Sequence, residues 1–198
     1  CKVGILDHKL TTEEMNLLYN SADGIVQISN AEGWGLSLTE AMLTATPFIA
    51  TVTGGMQDQM RFEDEDGNWI EFNGEFPSNH HGTYKKHGDW ALPVYVKAST
   101  LVGSPPTPYI FDDHHDMQDV ADQMMKLYKM SEKERKSIGK KGYDWALSDE
   151  AGFTSEKMSN RVIESIDELF STWKPREKYN FLKDTDYEKR ILPHKLVY

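Results

Sequence analysis

Cysteine is almost missing from this chain: 198 residues hold one, Cys1, so no disulfide can close within it. A lone thiol suits a reducing compartment, and we expect a cytoplasmic protein. Positive charge is the second shortage, with 22 Lys and Arg against 32 Asp and Glu and a net charge of −10. That balance repels polyanions and argues against nucleic acid as a partner. It leaves room for a local pocket that takes a pyrophosphate. No apolar run approaches the roughly 18 residues that a membrane-spanning helix requires. Internal repeats and low-complexity segments are also missing.

What is present reads as an α/β domain. The length allows a real core, in one domain or slightly more. Val3 to Leu6 reads as a short strand, and Thr11-x-x-Glu14 as a capping box opening an amphipathic helix with Met15, Leu18, Tyr19 and Ala22 on one face. Gly24 to Ile28 predicts a buried strand, Ser37 to Ala45 a helix, and Phe48 to Thr51 a second strand after Pro47. That alternation is the pattern of a parallel sheet flanked by helices. A short helix is expected from Gln57 to Met60. Residues 61–111 are rich in Gly, Asn, Pro, His and aromatics, with strand-like pieces at Trp69–Phe72 and Leu92–Val96, and read as an irregular insertion. Helices return after Asp116, then from Ser131-x-x-Glu134 towards Trp145, then from Thr154 to Trp173 with Met158, Val162, Ile166, Leu169, Phe170 and Trp173 at helical spacing. Residues 1–173 are therefore read as one Rossmann-like domain ending in helices, and 174–198 as a tail.

The most informative stretch is Glu32-Gly33-Trp34-Gly35-Leu36-Ser37-Leu38-Thr39-Glu40-Ala41-Met42, with Pro47, Ile49, Ala50, Gly54 and Gly55 behind it. Two carboxylates stand eight positions apart across a Gly-X-Gly turn between a strand and a helix. In α/β sheets this edge binds ligands. Glycines admit close backbone approach, and a helix start offers N–H groups to anionic oxygens. Acidic acceptors beside such a turn suit a ligand carrying both hydroxyls and phosphates.

These residues resemble the Glu-x7-Glu signature of retaining glycosyltransferases with the GT-B fold, in particular the family 4-like group. The resemblance implies that the chain is most of the C-terminal, donor-binding half of a two-domain enzyme, whose N-terminal acceptor domain would be a partner in the same protein. It implies a nucleotide-diphosphate sugar as donor, an acceptor that is a glycan, lipid or protein, and transfer of a hexose-like unit with retention. Glu32 would be the catalytic-centre carboxylate that orients the donor sugar. Gly33, Trp34, Gly35, Leu36, Thr39, Glu40, Gly54 and Gly55 would bind the donor, with Glu40 on the ribose hydroxyls. No metal or other cofactor is implied. The family's diphosphate-neutralising Arg and Lys have no counterpart before Glu32, where the only bases are Lys2 and Lys9. Activity of this stretch alone is not expected; Arg61 or Lys97 are candidate substitutes. The tail could cross to the acceptor domain or wrap its own.

Plainer readings stand beside these. Ser37-x-x-Glu40 is itself a legitimate capping box. Gly54-Gly55 could be a tight turn after a strand, and Trp34 a plug beneath its loop. His80, His81, His87, His114 and His115 lack the spacing of a zinc site, and Asp112, Asp113 and Asp116 read as a loop leading to a helix cap. The insertion's aromatics (Trp69, Phe72, Phe76, Tyr84 and Trp90) could extend a sugar site. Two rival functions remain: a nucleotide-sugar-binding module without catalysis, and a GT-B epimerase or phosphorylase.

Overall fold

A computed structural model describes residues 2–70, His80 and residues 82–175 of the chain. It divides into two units, Cys1–Lys157 and Met158–Tyr198.

The first unit is built on a three-stranded parallel sheet in the order β1-β2-β3: β1 (Ile25–Gln27), β2 (Phe48–Thr51) and β3 (Ala91–Val94). Ile25 lies opposite Phe48, and Phe48 opposite Ala91. Every residue of β2 and β3 is buried, as expected of a sheet covered on both faces. Alternation along β2 divides the core. Phe48 and Ala50 face a cluster holding Leu38, Met42, Met56, Phe62, Trp90 and Trp145. Ile49 faces the other way, into a cluster with Leu92, Val94, Val120 and Leu127. Pro93 cannot donate a hydrogen bond, which fits the position of β3 at an edge of this sheet.

The helices sort to these two faces. α1 (Thr12–Ser21) opens with the expected capping box: Thr11 Oγ1 accepts from the Glu14 amide at 3.2 Å, and Glu14 Oε2 from the Thr11 amide at 2.8 Å. α2 (Leu36–Leu43) connects β1 to β2, and the short α3 (Met56–Gln59) follows β2. α4 (Met117–Lys129), capped by Asp116, packs on β2 and β3. α5 (Glu132–Ala146) begins with the Ser131–Glu134 box and packs against α2. Trp145 at its end stacks on Trp90, centroids 5.1 Å apart, and meets Trp69 edge-on at 5.5 Å. These aromatics of residues 61–111 thus serve the core; Phe72 and Phe76 lie outside the described residues.

One expectation is corrected. Val3 to Leu6 forms no strand, and Val3 and Ile5 stand 86% and 88% exposed. A strand needs a neighbour to take up its backbone hydrogen bonds, and among the described residues none pairs with this segment. The strand-like piece expected at Leu92–Val96 is formed as β3 and joins the parallel sheet. The end of the 61–111 interval contributes an antiparallel hairpin, β4 (Ala98–Leu101) with β5 (Phe111–His114). The expected strand piece at Trp69 is reduced to one bridge with Glu63, and residues 71–79 lie outside the described set.

In the second unit, most of α6 (Ser155–Thr172) is amphipathic, with no buried residue. Met158, Val162, Ile166, Leu169 and Phe170 are exposed along it. The tail from residue 176 falls outside the described set.

Candidate functional site

The carboxyl ends of β1 and β2 carry the two glycine loops, and the loops are packed directly on each other. The Gly55 amide donates to the Glu32 carbonyl at 3.3 Å. A Cβ on Gly54 would lie 2.0 Å from that same carbonyl, and Gly54 takes φ +49°. On Gly55 it would lie 2.3 Å from the Gly33 carbonyl. Only hydrogen fits at either place, so the Gly54-Gly55 loop is the second wall against which the Glu32 loop rests. Gly33 differs: a Cβ there would meet nothing within 4 Å, so it faces open space at the same edge.

The turn into α2 is held from inside. Gly35 is the N-cap, at φ 84° and ψ 65°, and supplies no side-chain cap. Trp34 Nε1 donates to Thr39 Oγ1 at 2.9 Å, and Thr39 Oγ1 donates to Gln59 Oε1 at 2.8 Å. Gln59, fully buried on α3, donates back to the Trp34 and Gly35 carbonyls. Trp34 meets Phe153 edge-on at 5.0 Å. Its side chain is therefore a plug, and the turn offers the site backbone rather than indole. Thr39 likewise spends its hydroxyl within the fold. At the start of α2 the Leu38 amide already donates to the Gly35 carbonyl at 2.9 Å, while the Leu36 and Ser37 amides precede the first helical acceptors.

Glu32 is tied to α2, the helix that carries Glu40, by a chain that sequence reasoning missed. Gln27 at the end of β1 donates from Nε2 to Glu32 Oε2 at 3.2 Å, and its Oε1 accepts from Ser37 Oγ on α2. Ser37 and Glu40 stand one helical turn apart, on the face where Leu36 is 71% exposed and Glu40 is exposed. The signal was faint: Gln27 is the polar residue in Ile25-Val26-Gln27-Ile28. Burial first, then the neighbouring Glu40 carboxylate, pushes the Tyr19 phenol up to about 12. The capping box suggested by Ser37-x-x-Glu40 is not formed, because α2 starts at Leu36 and Ser37 is already inside it.

The candidate cations are spoken for. Arg61 pairs with Glu63 and, at 2.9 Å, with Glu150, whose hydrogen bond raises its pKa. Lys97 pairs with Asp119 at 2.9 Å. The histidines are dispersed: His80 packs on Phe62 at 4.3 Å, His87 on Phe62 at 5.9 Å, and His114 Nε2 lies 2.7 Å from Thr100 Oγ1. His81 lies outside the described residues. Among the described residues, no three His, Cys, Asp or Glu side chains gather as metal ligands. Asp113, on β5, is buried and accepts from Thr53 at 2.7 Å and Ser99 at 2.5 Å, tying the hairpin to the loop before Gly54.

Two open grooves, of about 570 and 540 Å³, lie elsewhere. One lies among the Asn20–Asp23, Thr44–Pro47 and Glu132–Lys136 segments, the other beside β1 against Met124, Leu127 and Tyr128. Neither is lined by Glu32 or Glu40. Volume alone does not select the site; the carboxyl edge of the sheet and its paired acceptors do.

Residues 5–75 match the family of glycosyl transferases group 1. The match contains the whole Glu32–Glu40 segment and both glycine loops. No curated protein matches the chain.

Proposed function

From the glycosyl transferases group 1 domain at residues 5–75, the donor-binding half of a GT-B fold, we propose that this protein binds a nucleotide-diphosphate sugar at the carboxyl edge of its sheet for retaining transfer of a hexose-like unit to an acceptor hydroxyl. The observation that carries the reading is the hydrogen-bonded chain Glu32–Gln27–Ser37, which links one carboxylate to the α2 face that presents the other. Glu32 accepts from hydroxyls of the donor sugar and sets the anomeric carbon in place. Glu40 accepts from the ribose 2′- and 3′-hydroxyls, a charge-assisted pairing with a vicinal diol. Amides of the Gly33–Leu36 turn meet the diphosphate, and Gly54-Gly55 closes the far wall. Thr39 and Trp34 act from behind, by fixing that turn.

In the transfer itself the bond from the anomeric carbon to the diphosphate oxygen breaks, and its electron pair leaves with the phosphate. The acceptor oxygen bonds the same face of that carbon, and its proton passes to the leaving phosphate. Stabilising that departing charge is a large share of the rate. Arg61 and Lys97, both held in ion pairs, are poorly suited to supply it. The reading therefore assigns that charge to a further part of the enzyme, together with the acceptor domain, and expects this chain to bind donor without turning it over.

Calorimetric titration with UDP, GDP, ADP and their hexose conjugates, with EDTA present, tests the binding step. Saturable binding of one nucleotide, weakened roughly tenfold or more by Glu40→Ala, is expected. Binding untouched by Glu40→Ala would remove the ribose role, and binding of none would sink the donor-site reading for this chain.

A further inference from the structure

Of the eight residues in β4 and β5, Asp113 alone is buried, at 6% exposure. The hairpin therefore meets the domain through a carboxylate, although aspartate is rarely buried unless it is paired. Three of its bonds run to three different segments. Oδ1 accepts from Ser99 Oγ on β4 at 2.5 Å, and Oδ2 accepts from Thr53 Oγ1 at 2.7 Å. The Asp113 amide donates to the Asn30 carbonyl at 2.8 Å. Thr53 immediately precedes Gly54, and Asn30 lies two positions before Glu32. One residue outside the parallel sheet thus holds the entrances of both glycine loops.

We infer that Asp113 is a positioning residue for the donor site, setting the separation of the Glu32 and Gly54-Gly55 loops and so the space that takes diphosphate and sugar. The inference rests on the donor reading above. The bond between the loops themselves, from the Gly55 amide to the Glu32 carbonyl, is long at 3.3 Å, and glycine gives the second loop wide backbone freedom. A carboxylate with each oxygen on a different segment removes that freedom. An apolar residue in its place would dock the hairpin without burying a charge, but it would fix the direction of neither loop. Hydrogen bonds, being short and directional, do so. Ser99 stands opposite Asp113 in the hairpin register and holds the carboxylate in turn. A site whose walls are already spaced for its ligand spends less ordering on binding. Sequence spacing could not reveal this brace, because 60 positions separate Thr53 from Asp113.

The test separates a positioning role from a merely structural one by ligand chemistry. Thr53→Val keeps the shape of the side chain and deletes the hydroxyl that reaches Asp113; Thr53→Ser restores it. Wild type and both variants are titrated with UDP-glucose, GDP-mannose and ADP-glucose, and with UMP, GMP and AMP. The monophosphates carry the ribose but lack the second phosphate and the sugar that the two loops would enclose. The readout is the ratio of sugar-nucleotide to monophosphate affinity for the base that binds. We expect Thr53→Val to lower that ratio by roughly three- to tenfold with monophosphate affinity unchanged, and Thr53→Ser to restore it. Equal weakening of both ligands, no weakening of either, or no restoration by serine overturns the inference and leaves the donor reading standing. A wild type that binds none of the six, or binds sugar nucleotide no better than monophosphate, overturns both. Should Thr53→Val fail to fold, amide hydrogen exchange of wild type serves instead. Exchange at Gly55 and Asp113 should slow with the sugar nucleotide and not with the monophosphate; equal slowing with both, or none with either, overturns the inference.

Discussion

At the residue scale, the glycines of the site separate into two kinds, and substitution distinguishes them. Gly54→Ala must place a methyl carbon 2.0 Å from the Glu32 carbonyl at a backbone angle that suits glycine. It should lower stability by about 2–4 kcal/mol in urea unfolding. Gly33→Ala meets open space and should leave the unfolding midpoint in place while weakening nucleotide binding, since the methyl group would stand where the ligand approaches. His87 offers a pH test. Burial, more than the nearby Lys126, holds its pKa below the usual value, so the fold prefers the neutral ring. Below its ordinary pKa near 6.5 the unfolded chain takes up a proton that the folded one resists. His87 therefore costs stability as pH falls from about 7 through the lowered folded value. Melting temperatures between pH 7.5 and 5.5 should fall less steeply for His87→Asn than for wild type.

At the scale of elements, α2 is the hinge of the site, and both its ends are unusual. It starts on glycine without a side-chain cap and is stabilised instead by the Trp34–Thr39–Gln59 network. Thr39→Val would leave the Trp34 N–H and the Gln59 carbonyl oxygen without their shared partner, and should cost about 1–3 kcal/mol in the same unfolding measurement. Its other end closes with the Ala45 amide on the Met42 carbonyl and the Thr46 amide on the Ala41 carbonyl, the Schellman pattern. The left-handed residue there is Ala45, at φ 55°, where a side chain is disfavoured. Ala45→Gly should accordingly raise stability by about 1 kcal/mol.

At the scale of the whole molecule, the proposed reading separates donor binding from chemistry. Among the described residues no helix is long and apolar enough to cross a membrane. A nucleotide that binds only the folded state should raise the melting free energy by about 2.7 kcal/mol at a hundredfold excess over its dissociation constant. The chain should show that shift with EDTA present, and on the proposed reading it should transfer no hexose by itself. Transfer by this chain alone would overturn the assignment of the missing positive charge elsewhere.

The local signals belonged to the sequence. Capping boxes at Thr11 and Ser131, the cap at Asp116 and the apolar Phe48–Thr51 run each act within a few residues, and each formed where it was read. The ordered Glu32–Glu40 segment likewise lies within the residues that match glycosyl transferases group 1. Tertiary structure decided the rest. Val3 to Leu6 had the composition of a strand but, among the described residues, no neighbour to pair with, and the strand read at Leu92–Val96 found its partner β2 some 40 residues earlier. Ser37 and Glu40 had the spacing of a capping box, yet the left-handed Gly35 began the helix before them and freed the Ser37 hydroxyl for Gln27. A hydrogen bond between distant residues has no period and no spacing; it exists only once packing has brought donor and acceptor within 3 Å or so of each other.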